Sequence, residues 1–150
     1  MMVVVLGCGR SGAALTLMLA SRGHDVTVIE RSPEALRRLG KKPECKIVVG
    51  NGLDMDVLEK AGVARCDAFL AMTRGDNTNL MAAQVVKKRF DVEKVLVKVA
   101  DPVRAEAYRE MGLYCVNASA LIAGLCIDQL TGAPFRPIDQ YNVLVEELSI

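Results

Sequence analysis

The sequence predicts an α/β fold: a doubly wound parallel sheet of six strands with helices on both faces. Three observations carry this reading. Short β-branched runs alternate with segments of helical period from residue 2 to about residue 131, the rhythm of strand–helix repeats. The central strands show little polar alternation, as expected of strands covered on both faces. The first apolar run, Met2 to Leu6, passes directly into the glycine series Gly7-Cys8-Gly9-Arg10-Ser11-Gly12 and then into a helical pattern.

The strands read from these runs are 2–6, 26–30, 46–49, 67–71, 94–99 and 114–116. Residues 11–21 are apolar almost all round (Ala13, Ala14, Leu15, Leu17, Met18, Leu19, Ala20), which predicts a buried first helix, and Gly23 stands where a left-handed cap would end it. Asp25 precedes the second strand as a turn residue. Ser32-Pro33-Glu34 reads as an N-cap, a proline at the first helical position and an early acid. Asp54 is expected to cap a helix through Ala61, closed by Gly62. Asp76 is expected to cap another to about Arg89, whose tail of Lys87, Lys88 and Arg89 suits the negative end of the helix dipole.

Gly132, Pro134 and Pro137 break the pattern, and Tyr141 to Leu148 read as a lone strand. The expected organisation is therefore one domain over 1–132, followed over 133–150 by a linker and a strand that is either an arm or the start of a further subdomain.

Composition narrows the function. With 51% apolar residues in 150, the chain suffices for one compact domain that buries about 70% of the surface its unfolded form exposes. Its 19 basic and 18 acidic residues leave a formal charge of +1, with no overall pull toward nucleic acid or an anionic membrane. Three Tyr, three Phe and no Trp offer few stacking platforms for single strands. The five cysteines, at 8, 45, 66, 115 and 126, form no CxxC pair and no even disulfide set, which suits a reducing compartment and small core residues. The amino terminus lacks the marks of a signal peptide. The longest apolar stretch, Ala118 to Ile127, falls short of the roughly 20 residues that cross a bilayer. A soluble, cytoplasmic domain is expected.

The chemistry sits in the glycine series. In G-x-G-x-x-G the first glycine permits the tight turn, the second lets backbone approach a pyrophosphate, and the third lets the helix pack close to the strand. The free N–H groups of that helix then face the phosphates. The second strand ends on Glu30, 18 residues past Gly12, close to the spacing at which a carboxylate meets an adenine ribose. Glu30 would repel a 2′-phosphate, since two charges about 4 Å apart at an effective dielectric near 20 interact by about 4 kcal/mol. Arg31 either softens that discrimination or is a solvated surface charge. Arg10 either reaches a phosphate or is a surface arginine at a helix start.

A P-loop is rejected, because Ala13 and Ala14 stand where Lys and Ser/Thr are required. Gly50-Asn51-Gly52 ends the third strand, where the amide can contact adenine and the glycines make room for it. Ala71 to Asn77 ends the fourth strand at the topological switch point, so Thr73 and Arg74 can meet phosphates or a distal nucleoside, while Asp76 serves as a cap and Asn77 as a turn residue. Catalysis finds little support: the single His24 lies in an exposed-looking turn away from the strands' carboxyl ends, and no nucleophile–base set or metal cluster stands out.

The motif order resembles the RCK/KTN family, also called the TrkA N-terminal domain: regulatory domains of potassium channels and of Trk- and Ktr-type uptake systems. The matching stretches run from Met2 to about Gly132. They are Gly7 to Gly12, Val28-Ile29-Glu30, Val49 to Gly52, Leu58 to Val63, Cys66-Asp67-Ala68, Thr73 to Leu80 and Lys98 to Pro102. The resemblance implies a Rossmann-like sheet in the order 3-2-1-4-5-6, dimers assembling into octameric rings, and binding of NAD(H) or ATP/ADP.

Carried over by position, Gly7, Gly9, Arg10, Ser11 and Gly12 would hold phosphates and Glu30 the adenine ribose; Cys8 in the same loop and Arg31 beside the acid complete the candidate cofactor-binding residues there. Asn51 would sit by adenine and Thr73 near the phosphates or distal nucleoside, with Gly52 and Arg74, read from the residues above, as the remaining candidate cofactor-binding positions. Asn51 and Lys98 depart from the family's usual acid and frequent arginine; Asn51 keeps one acceptor for the adenine amino group. The implied function is a non-catalytic, cytoplasmic regulator that gates a membrane potassium transporter or channel subunit through dimer rearrangement, with no nucleic acid partner and no membrane insertion. The alternatives are a small NAD-dependent oxidoreductase working with a partner subunit, and an interaction module whose nucleotide is structural.

Overall fold

The computed structural model describes residues 1–141. Its strands are β1 (Met2–Leu6), β2 (Asp25–Glu30), β3 (Lys46–Val49), β4 (Ala68–Ala71), β5 (Lys94–Val99) and β6 (Tyr114–Asn117). They form one sheet in the order β3-β2-β1-β4-β5-β6, with parallel pairing throughout β3 to β5. This is the Rossmann-like topology expected above. The helices are α1 (Arg10–Ser21), α2 (Pro33–Leu36), α3 (Met55–Lys60), α4 (Asp76–Phe90), α5 (Pro102–Glu110), α6 (Ala118–Thr131) and α7 (Ile138–Tyr141). The chain divides into two compact units, Met1–Val97 and the residues from Lys98 onward. No helix among the described residues is long and apolar enough to cross a membrane.

In the first unit β1 is the central strand, and Val3 to Leu6 are all buried. Val3 and Val5 pack with Val26 and Val28 of β2, Ala68 and Leu70 of β4, and Ala13, Leu15 and Leu19 of α1. Alternate residues of each strand share a face, so this set defines one side of the sheet. Gly12 brings α1 onto β1: a Cβ there would overlap the Gly7 carbonyl oxygen. The helix buries Gly12, Ala13 and Thr16, while Leu17 and Met18 are 41% and 53% exposed. The expectation of a wholly buried first helix is thus corrected. A helix lying on one face of a sheet buries a stripe, whatever its remaining residues are.

Local punctuation is mixed. Ser32 Oγ caps α2 by accepting the Ala35 N–H at 3.4 Å. Gly23 and Gly62 take positive φ at the ends of their helices. Asp54 occupies an N-cap position without a side-chain cap bond. In α4 the N-cap is Gly75, so Asp76 and Asn77 are the first helical residues rather than a cap and a turn. Asp25 belongs to β2 and is paired with Lys46 at 3.2 Å on the surface. All five cysteines are free. Cys8 and Cys115 are buried, Cys45 and Cys66 half-buried, and Cys126 exposed, which corrects the expectation of five core residues.

In the second unit Asp101 caps α5 through the N–H groups of Val103 and Arg104, and Asn117 caps α6 through Ala120 at 2.8 Å. Gly132 ends α6 in the left-handed region at φ +71. The chain then folds back on α6. Tyr141 is 2% exposed and its hydroxyl donates to Asp128 Oδ2 at 2.7 Å, while the Arg136 guanidinium pairs with the same carboxylate at 3.2 Å. Tyr141 therefore belongs to a short helix, α7, and not to a strand. The rest of the expected strand, residues 142–148, lies outside the described residues.

Two outcomes follow from this packing. Gly12→Ala is expected to destabilise the chain by about 1–3 kcal/mol in denaturant unfolding, because rigid backbone occupies the Cβ position. The Tyr141 hydroxyl bond, followed by the Arg136 bond and charge, holds the Asp128 carboxyl below the usual carboxylate range. A lowered folded pKa stabilises above the unfolded value, about 4, and that contribution fades as pH falls through the folded value. Calorimetry should therefore find that Tyr141→Phe lowers the thermal midpoint at pH 7 and reduces its decline on acidification.

Candidate functional site

The carboxyl ends of β1, β2 and β4 converge on the glycine loop. Gly7 takes φ +97, open to glycine and rarely to other residues. Its N–H donates to the Ile29 carbonyl at 2.8 Å, tying the loop to β2. On the other side a Cβ at Gly7 would stand 2.9 Å from the backbone nitrogen of Thr73. Gly7 is therefore held between the ends of β2 and β4.

Gly9 is the N-cap of α1, and no side chain caps that end of the helix. The first turn carries no acid. The orphan N–H groups and the positive end of the dipole thus remain available to an anion. A Cβ at Gly9 would meet nothing within 4 Å. The missing side chain leaves open space directly at the helix start, the geometry a diphosphate needs.

Glu30 is half-buried at the end of β2. Its Oε2 accepts the Cys8 N–H at 2.7 Å, and its Oε1 accepts the Ser32 N–H at 2.9 Å. Each carboxylate oxygen has lone-pair capacity beyond one such bond, so the group can also receive hydroxyl donors. Cys8 is buried, and burial, reinforced by the Glu30 charge, pushes its thiol pKa up. A thiol kept protonated in this way is a loop residue rather than a nucleophile.

Arg10, Ser11, Arg31 and Arg74 are exposed, at the start of α1, after β2 and after β4. Asn51 is exposed and uses Oδ1 to accept the Leu53 N–H at 3.2 Å, an Asx-type turn. The room left by the flanking glycines is taken by the protein itself. A Cβ at Gly52 would collide with Leu6, and one at Gly50 with Val57.

His24 is half-buried, with Nδ1 3.5 Å from the Met1 amino group, just before β2 begins. It is not brought to the glycine loop. A concavity of about 270 Å³ bordered by Cys66, Asp67, Asp91 and Lys94 lies at the amino ends of β4 and β5. Ligands of open α/β sheets bind outside the carboxyl ends of the strands, and the uncapped helix is at that end too. The described residues contain no group of three or more His, Cys, Asp or Glu placed to hold a metal.

Sequence reasoning assigned no role to Asn79. It is fully buried and hydrogen-bonds Thr73 on both its amide groups. The signal was present in Thr73-x-x-x-x-x-Asn79, which puts an amide in the first turn of α4 within reach of the preceding loop.

The TrkA-N domain profile matches residues 3–119. The Trk system potassium uptake protein TrkA of Streptomyces coelicolor is 44% identical over 138 residues, which is 92% of this chain and 62% of that protein. A Trk system potassium uptake protein TrkA homolog of Methanothermobacter thermautotrophicus is 31% identical over 89% of the chain and 62% of its own length. The chain thus spans about 62% of the length of each of these relatives. Among solved structures, the TrkA-N domain of the inner membrane protein ybaL from Escherichia coli superposes with a TM-score of 0.77 at 16% identity, covering 86% of this chain and 96% of that one. The Kef CTD of Shewanella denitrificans in AMP-bound form gives 0.74 at 19% identity, covering 99% and 92%. The GsuK channel bound to NAD gives 0.67 at 23% identity, covering 82% of this chain and 22% of that one. These structural likenesses show the shared fold; the profile match and the identity to the two relatives place the chain in the TrkA-N domain family.

Proposed function

We infer that the chain is a nucleotide-binding regulatory domain. It binds NAD(H) or an adenine nucleotide such as ATP or ADP, and through that binding gates a membrane potassium uptake system or channel. The observation that carries this reading is the pairing of an uncapped helix start, open at Gly9, with the Glu30 carboxylate fixed beside it by two backbone N–H groups. The first is suited to a diphosphate and the second to the hydroxyls of the neighbouring ribose. The Trk system potassium uptake relatives supply the potassium-transport setting, and two proteins of like fold are bound to AMP and to NAD.

Gating requires that the nucleotide bind two arrangements with different affinity, since equal affinity shifts nothing. A homodimer, in turn able to build a larger ring, provides those arrangements. Large apolar side chains on the last long helix suit such an assembly: Ile122 is 62% exposed and Leu130 85%. A regulator of this kind binds its nucleotide without turnover, and it meets the membrane through the transporter.

Gly9→Ala tests the reading. The backbone at Gly9, φ −69 and ψ −170, accepts alanine without strain, so thermal stability should hold. The new methyl enters the phosphate space, so calorimetric affinity for NAD or ATP should fall more than about tenfold. Unchanged affinity would remove the glycine loop as the site. Mass spectrometry of the ligand released from native protein would name the nucleotide.

A further inference from the structure

Thr73 is half-buried after the carboxyl end of β4, and the fully buried Asn79 reaches back to it from the first turn of α4. The Thr73 N–H donates to Asn79 Oδ1 at 2.9 Å, and Asn79 Nδ2 donates to the Thr73 carbonyl at 3.3 Å. A backbone N–H only donates and a carbonyl only accepts, so these two bonds fix the orientation of the amide. The Thr73 hydroxyl stands 2.6 Å from the same Oδ1. The Gly75 carbonyl, 3.3 Å away, is the more distant of the two acceptors in reach, so the hydroxyl proton is held inside the loop, with Asn79 as its near partner. The Gly75 N–H in turn donates to Thr73 Oγ1 at 3.2 Å.

Thr73 and Gly75 thus offer little to a phosphate. The N–H groups of Thr73 and Gly75 are spent inside the loop, and so is the hydroxyl proton. What Thr73 Oγ1 still offers is one lone pair, an acceptor. An ionised phosphate oxygen is an acceptor as well. Turning the hydroxyl proton outward to meet it would leave two oxygens 2.6 Å apart with no hydrogen between them. A sugar hydroxyl, by contrast, can donate to the free lone pair at no such cost.

Topology says which part of a ligand arrives there. β1 lies between β2 and β4, so Glu30 and Thr73 flank the glycine loop on opposite sides. Thr73 also packs directly on Gly7, with its Cγ2 3.0 Å from the position of the missing Cβ. A nucleotide with its adenine ribose on Glu30 and its diphosphate over the loop continues toward Thr73. The exposed Arg74 attracts any anion and does not distinguish between them.

We propose that Asn79 is a positioning residue that makes Thr73 the acceptor for a hydroxyl of the ligand's distal sugar. The β4 side of the site then takes the second nucleoside of a dinucleotide rather than the tail of a triphosphate. The proposal rests on the nucleotide-site reading above and chooses within it.

The test is calorimetric titration of the full chain with AMP, ADP-ribose, NAD and ATP. Thr73→Val should weaken ADP-ribose and NAD roughly fivefold, the worth of one hydrogen bond, with AMP and ATP unchanged and Thr73→Ser restoring the loss. On unmodified protein, an NAD analogue deoxygenated in the distal ribose should bind about fivefold more weakly than NAD. Asn79→Ala removes the near acceptor, leaving only the longer contact to the Gly75 carbonyl, and should lower the ratio of NAD to ATP affinity, whereas Asn79→Asp, which keeps an acceptor facing Thr73, should preserve it. If AMP binds but Thr73→Val weakens ATP as much as NAD, or the deoxy analogue binds as tightly as NAD, this proposal falls and the nucleotide site stands. If no nucleotide binds the unmodified chain, both fall together.

Discussion

The carboxylate of Glu30 holds two loops at once, and the site depends on that bridge. One oxygen receives the N–H of Cys8 inside the glycine turn, the other the N–H of Ser32 at the start of α2. Bonds from N–H groups to an ionised acceptor are stronger than neutral ones, and the half-buried setting shields them from water. The glycine turn is thereby fixed before any ligand arrives. A ligand meeting a preformed loop loses less of its binding energy to ordering the protein.

The same turn is secured from three directions. Gly7 donates to β2 through Ile29, stands against Thr73 beyond β4, and receives α1 through the absent side chain of Gly12. The two close contacts tolerate no Cβ, while the third position, Gly9, faces open space. Three glycines that look equivalent in the sequence thus divide the work. Two close the fold and one leaves open space at the start of α1. Sheet order completes the arrangement, because a central β1 sets an acid on one flank and the Thr73–Asn79 pair on the other.

Much of this was legible in the sequence, for identifiable reasons. Strands such as Val3 to Leu6 and Val26 to Ile29 announce themselves because burial on both faces demands continuous apolar, mostly β-branched residues. The tight glycine turn and the placement of Glu30 at the end of β2 were legible because both follow from backbone geometry at fixed spacing. What escaped was set by tertiary contacts. Whether Gly75 or Asp76 starts α4 depends on how Asn79 holds the preceding loop, and periodicity does not record that. The exposure of Leu17 and Met18 depends on how much of α1 the sheet covers. Tyr141 reads as a strand former until the partners that draw it into a buried polar cluster, Asp128 and Arg136, are seen beside it.

The central claim is that a diphosphate binds the backbone amides at the start of α1 while Glu30 receives the adjoining sugar. The most direct measurement is an amide proton–nitrogen correlation spectrum of the labelled chain during titration with NAD. The account requires the largest shifts at the N–H groups of Cys8 to Gly12 and Ser32, saturating together. Saturation with those amides unmoved, and shifts gathered instead around Asp67 and Asp91 at the opposite end of the sheet, would contradict it.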